Sequence, residues 1–334
     1  MNPSNNPYYK IESEKDIKAK NLEVILKIKF DEEKDEIYRI YEISDNRIAV
    51  ELEKCLKIYS LKTFILLTEI NHDNIDNSIE LKNKDIAICD YSVVSFYKFT
   101  ENIYIYYQKI KDEKIFEIYE LKNENLILCI SHGLNIYSKD KGEYKFLIKM
   151  ELNETVGNIL EIKNNIIIVF LFSRSGTWAT ADYSPYDLNL LNMETKKGIN
   201  LSGGTFSRYD DKHIFYGCNF IIKKNKYLLA RYAGCFDIYD ISNIENDNLK
   251  SVKRIYKIKF GINFFPIMFE TLCDYDDDNF IILPSKEIYK YDEKSNKIIL
   301  LKHNKIEMKL IDMIKLKNNK YVAHSKNELF IFKK

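Results

Sequence analysis

At 334 residues the chain exceeds a usual domain of roughly 100–200. Its Tyr, Phe, Ile and Leu nevertheless run evenly from about residue 22 to the end, with ten Gly, five Pro and no linker-like stretch, so one large repeat fold is expected. Lys plus Arg number 51 against 50 for Asp plus Glu, a formal charge of +1 that offers no field to gather phosphates, which argues against nucleic acid as a partner.

Residues 1–20 read as a polar tail, unlike a signal peptide, and no later stretch is apolar enough to span a membrane. The expectation is a soluble cytoplasmic protein with no membrane partner. Leu22 to Phe30 follows as an alternating strand that has no hairpin partner of its own.

From there one phrase recurs: an apolar residue, a polar turn rich in Lys, Asn and Asp, then a β-branched or aromatic run. The copies are Ile43 to Ile48, Leu81 to Ile86, Leu121 to Leu126, Ile162 to Ile166, Ile222 to Tyr227, Tyr275 to Phe280 and Leu316 to Tyr321. Three open almost alike, as Glu80-Leu81-Lys82-Asn83, Glu120-Leu121-Lys122-Asn123 and Glu161-Ile162-Lys163-Asn164. Asn and Asp tolerate left-handed backbone angles, so each phrase is expected to return one strand beside another. Downstream of each lies an apolar or aromatic pair before a second polar turn, marked by Tyr59, Tyr97, Tyr137, Leu191, Tyr239, Tyr291 and Phe332. The marks recur every ~38–54 residues, a length that suits four short strands per unit.

Within a unit the second strand reads as continuously apolar (Leu126 to Ile130, Ile166 to Phe172), as where both faces pack on neighbours, and alternation is strongest in the third and fourth. The last unit stops after its third strand. Docking Leu22 to Phe30 as its outer strand supplies the fourth and covers the open edge. The expected fold is therefore all-β: a seven-bladed β-propeller of four-stranded antiparallel blades, one domain over residues 21–334, closed by the N-terminal strand.

The segment His72-Asp73-Asn74-Ile75-Asp76-Asn77-Ser78-Ile79-Glu80-Leu81 resembles the stretch from the Gly-His into the first strand of a WD40-like propeller blade, with Asn71 where the Gly stands. Tyr239-Asp240 and Tyr291-Asp292 echo that superfamily's Trp-Asp. No other blade keeps the His. The resemblance implies a rigid platform for protein partners, as part of a larger complex.

Blade four departs from the pattern twice. Ser173 to Tyr186 holds the only Trp, and Leu201 to Asp211 holds adjacent glycines, Gly203 and Gly204. In a propeller the connections from second to third strand, and from fourth strand to the next blade, emerge on one face, so these two insertions are expected to be neighbouring loops. Arg174, Trp178, Tyr183, Tyr186, Phe206, Arg208 and Tyr209 are types enriched at interface hot spots and form the candidate partner-binding set. Two long loops capping one blade is the plainer alternative.

No catalytic, metal or cofactor motif is legible, and a non-enzymatic scaffold binding a protein or peptide is the leading function. The alternatives are a hydrolase or lyase with its site at the channel mouth, for which Asp182, Asp187, Asp210, Asp211 and His213 are available, and a structural subunit of a larger complex. Asp274 to Asn279 superficially resembles a calcium loop without its Gly and Glu. Cys89 and Cys129 hold equivalent second-strand positions and read as buried thiols between blades. His72, His132, His213, His303 and His324 form no cluster.

Overall fold

The computed structural model describes residues 12–13, 23–30, 36–101, 103–152, 155–175, 182–201, 219–232, 235–244, 249, 252–259, 272–277, 279–282, 287–292, 294, 297–303 and 310–333, and its regular elements are β-strands. The chain divides into two compact units, residues 35–212 and residues 1–34 with 213–334. Two N-terminal strands, β1 (Glu12–Ser13) and β2 (Glu23–Lys29), belong to the second.

The 35–212 unit holds four sheets, each a run of consecutive antiparallel strands. They are β3 (Ile37–Ile43), β4 (Arg47–Leu52), β5 (Cys55–Ser60) and β6 (Leu66–Asn71); β7 (Asn77–Glu80), β8 (Ile86–Asp90), β9 (Val93–Thr100) and β10 (Ile103–Lys111); β11 (Ile115–Glu120), β12 (Leu126–Ile130), β13 (Gly133–Asp140) and β14 (Glu143–Glu151); and β15 (Thr155–Lys163), β16 (Ile166–Ser175), β17 (Asp182–Asn192) and β18 (Lys197–Asn200). First strands touch from sheet to sheet, β7 with β11 and β11 with β15, and residues of β3 bond to β7. The fourth strands β6, β10 and β14 are largely exposed. The first strands therefore form the converging edge.

The other unit holds β19 (Asn219–Lys223), β20 (Tyr227–Tyr232), β21 (Cys235–Asp240) and β22 (Lys253–Lys259) in one sheet. A second comprises β23 (Leu272–Asp274), β24 (Asn279–Ile282), β25 (Glu287–Asp292) and β26 (Lys297–His303), with β1 parallel beside β26. In the third, β27 (Asp312–Lys315), β28 (Lys320–His324) and β29 (Glu328–Lys333) are followed by β2. There β2 runs antiparallel to β29, with a bulge between Val24 and Leu26.

Each recurring polar phrase joins two antiparallel strands, and the turns show how. The left-handed angle falls on Asp45, Asn46, Asn165, Asn225 and Asn319, as Asx chemistry favours, with Lys224 sharing it beside Asn225. At two copies it falls instead on Lys84 and Glu124. The preceding Asn83 and Asn123 there use their side-chain oxygens to accept the N–H groups of Asp85 (3.3 Å) and Asn125 (3.1 Å), so Asn closes the turn without itself adopting the left-handed form.

Second strands are buried throughout in β4 and β12. The third strands differ from their alternating sequence: most of β5 and β13 is buried as well, because sheets pack on both of their faces.

The Glu that opens three of the phrases fastens one sheet to the one before. Glu80 accepts the N–H and hydroxyl of Ser44 at 2.6 and 2.7 Å. Glu120 accepts the N–H of Lys82 at 2.7 Å, and Glu161 that of Lys122 at 2.6 Å. Each carboxylate thus satisfies a turn donor that the preceding hairpin leaves open. In the other unit Asp274 stands where Glu80 stands, and the Lys223 ammonium bonds to its carboxylate and to the carbonyls of Asp276 and Asn279, the last at 2.7 Å. The apparent calcium loop is therefore filled by a lysine.

Candidate interaction site

Four residues before the apolar residue that opens each recurring phrase in the 35–212 unit stands a polar one: Arg39, Asn77, Glu117 and Asn158. The first three gather on the converging edge. Arg39 Nη1 lies 3.3 Å from the carbonyl of Ser78, 4.0 Å from Glu117 Oε1, and the guanidinium is 5.4 Å from the Tyr41 ring centre. Asn77 Nδ2 donates to Glu117 Oε1 at 3.1 Å. Ser78 Oγ donates to Glu51 Oε2 at 2.6 Å and lies 2.8 Å from the Tyr41 hydroxyl.

The cluster has depth. Glu51 is 2 % exposed and Asn77 7 %, whereas the side chains of Glu117 and Arg39 keep 20 % and 37 %. Burial raises the carboxyl of Glu51, against the pull of Arg39 and Ser78. Burial likewise pushes Glu117 up to about 7, with Arg39 and Asn77 opposing and Glu51 adding. Glu51 is capped by Ser78 and closed to solvent, so the pair does not present two accessible carboxylates to a substrate.

For an acid whose folded pKa lies above its unfolded value, the unfolded chain loses the proton first, so stability falls as pH rises between the two. The cost at Glu117 is absent below about pH 4.5 and complete above about 7. Glu117→Gln removes it. The unfolding free energy of the wild type relative to this variant is expected to drop by about 2–3 kcal/mol between pH 4 and pH 8. Parallel urea titrations check this, and a pH-independent difference would contradict it.

The loop expected over Ser173 to Tyr186 is largely a hairpin. β16 continues to Ser175 and β17 begins at Asp182, with Ser173 opposite Ser184, Arg174 opposite Tyr183 and Ser175 opposite Asp182. The first strand of that sheet is already spent, since Thr155 pairs with Phe172, so these residues form a two-stranded ribbon beyond the sheet. Continuing the ladder satisfies backbone groups that a loop would leave to water. Arg174, Tyr183 and Tyr186 thus sit on strands, as do Asp182 and Asp187. Trp178, Phe206, Arg208, Tyr209, Asp210, Asp211 and His213 lie outside the described residues.

Other flagged residues have plain roles. Burial raises the thiols of Cys89 and Cys129, which keeps them protonated and unreactive. His324 is buried in β28, opposite Asp312 of β27, and its Nδ1 lies 2.8 Å from the carbonyl of Ser325.

The sequence matches no family model and no curated protein. Solved structures do match. The WD40 repeats of RRP9 align over 93 % of this chain and 99 % of theirs with a TM-score of 0.65 at 8 % identity. U3-55K aligns over 94 % and 98 %, with a TM-score of 0.64 at 9 % identity. The fold is that of a WD40-like β-propeller. The β-propeller domain of Cps50 (Swd1) from Myceliophteria thermophila matches similarly, over 94 % and 99 %, with a TM-score of 0.61 at 9 % identity.

As propeller blades, the second and third sheets hold a polar residue at one equivalent position before the first strand, His72 in one and Asp112 in the other. In blade two His72 Nε2 lies 3.3 Å from Ser95 Oγ, and the ring meets Tyr97 edge-on at 6.5 Å. In blade three Asp112 precedes the first strand in that place. It accepts Asn135 Nδ2 at 2.8 Å and the Tyr137 hydroxyl at 2.6 Å. An acceptor has replaced the imidazole, and the third strand supplies the donors. A search for a repeated His misses this; a search for a polar residue paired with Ser or Asn two before the marker Tyr finds it.

Proposed function

We propose that this propeller is a non-enzymatic scaffold that binds a protein or peptide through blade four. The observation that carries the reading is the β16–β17 ribbon, which extends past its own sheet while the corresponding strands β8 and β12 end after five residues. In sequence the ribbon carries Arg174, Tyr183 and Tyr186, with Trp178 between its two strands, residue types enriched at interface hot spots. Phe206, Arg208 and Tyr209 belong to the same proposed surface. WD40-like propellers commonly serve as such platforms, which supports the reading by analogy of fold.

The reading includes one domain over residues 21–334 in which seven blades form a closed ring. Pairing of β2 with β29 supports the closure, because it joins the two ends of the chain in one sheet. A radius of gyration of about 20 Å by X-ray scattering is expected for a compact chain of this length. An intracellular, reducing setting is part of the proposal, supported by the free, buried thiols of Cys89, Cys129 and Cys273. Trp178→Ala and Arg174→Ala are each expected to weaken partner binding by about 2 kcal/mol, with the thermal midpoint unchanged. Quantitative co-purification from the native cell, with wild type and variants compared, checks this; unchanged recovery of every partner would remove the idea.

A further inference from the structure

We propose that the Arg39–Glu51–Asn77–Glu117 cluster is a second binding site, which receives a guanidinium or ammonium side chain of a partner protein. The inference rests on the scaffold reading for the source of that side chain, but on separate residues. Fully ionised, Glu51, Glu117 and the adjacent Asp76 carry three negative charges against the single positive charge of Arg39.

The second observation is an orphan acceptor. Asn77 is more than nine-tenths buried, its Nδ2 is committed to Glu117, and its Oδ1 has no hydrogen-bond partner among the described residues. The carboxylate oxygen opposite Nδ2 fixes which way the amide is turned. An unpaired buried carbonyl is costly, and a donor arriving from outside would relieve it. A cation with several N–H groups matches both the acidic surplus and the open acceptor. The Glu117 side chain keeps 20 % of its exposure and Asn77 only 7 %, so an incoming cation meets Glu117 first.

The groups facing Glu117 are Arg39 from β3, Glu51 from β4, Asn77 from β7 and the thiols of Cys89 on β8 and Cys129 on β12. A bound cation favours the ionised carboxylate, so binding releases a proton and tightens as pH rises from 6 to 8.

The test titrates the full chain with the pentapeptide acetyl-Gly-Ala-Arg-Ala-Gly-amide, its lysine counterpart, and the version with citrulline, which keeps the shape and removes the charge. The arginine or lysine peptide is expected to bind at least tenfold more tightly than the citrulline peptide. Glu117→Gln is expected to weaken the cationic peptide at least tenfold and to abolish the pH dependence, and Trp178→Ala to leave both unchanged. Agmatine, a guanidinium without a peptide backbone, separates the two sources of the cation; if it binds as tightly as the arginine peptide, the site belongs to a free amine and the partner side chain is overturned. Equal binding of the citrulline and arginine peptides, or no binding of any, overturns the site while leaving the blade-four proposal standing. Should Glu117→Gln not fold, the citrulline comparison and the pH profile of the wild type decide the matter.

Discussion

Arg47→Ala is expected to lower the unfolding free energy by about 3–5 kcal/mol, the scale of a buried ion pair deprived of one partner. Arg47 opens β4, is 6 % exposed, and holds blade one against blade two. Its Nε donates to the carbonyl of Ser44 at 3.0 Å, Nη1 to the Tyr104 hydroxyl at 3.1 Å and Nη2 to Glu80 at 3.4 Å. The guanidinium also stands over the Phe99 ring at 4.3 Å. Alanine would strip Glu80 of this counter-charge and leave the Tyr104 hydroxyl, whose pKa burial pushes up to about 12, without its donor. Arg47→Lys would keep the charge and lose the fork and the stacking, so an intermediate loss of about 1–2 kcal/mol is expected. Urea unfolding with an unchanged m-value measures both; a loss below about 1 kcal/mol for alanine would show that the exposed Asp45–Lys84 pair at 2.9 Å suffices to hold the turns together.

Glu161→Ala follows, with an expected loss of about 3–4 kcal/mol from two backbone donors left without a charged acceptor. Glu161 is buried and bridges blades three and four, accepting the N–H of Lys122 at 2.6 Å and that of Asn165 at 3.2 Å. Its own N–H donates to the Tyr119 hydroxyl at 3.1 Å, a bond the substitution leaves in place. Glu161→Gln keeps an oxygen for one donor, so about half of the loss should return. If the two variants unfold at the same midpoint, the remaining amide oxygen holds neither donor and the expected recovery is contradicted. Hydrogen exchange at the Lys122 amide offers a local check, since it should accelerate in the alanine variant before any global change.

The repeat was visible in the sequence because hairpins are local: a polar phrase of a few residues between β-forming runs carries its own turn chemistry. Strand β12 falls on the residues read as its second strand, Leu126 to Ile130, for the same reason. Less was legible at the candidate sites. Glu80, Glu120 and Glu161 stood out as repeated letters, yet their partners Ser44, Lys82 and Lys122 lie in the preceding blade, 36 to 39 positions away. The polar position occupied by Arg39, Asn77 and Glu117 was masked by its variety, a cation, an amide and an acid sharing one register. At blade four the unusual composition of Ser173 to Tyr186 suggested loops, whereas the backbone ladder carries β16 and β17 well into it.

What the sequence determined alone was the strand rhythm and the turns, since alternation, β-branching and Asx chemistry act within a few bonds. What only tertiary structure decided was which of the polar side chains meet. Twist and packing bring first strands from different blades to one edge, and there burial raises the Glu117 carboxyl toward neutrality and leaves Asn77 Oδ1 unpaired. Desolvation and through-space charge depend on neighbours distant in the chain, and no spacing along it encodes them.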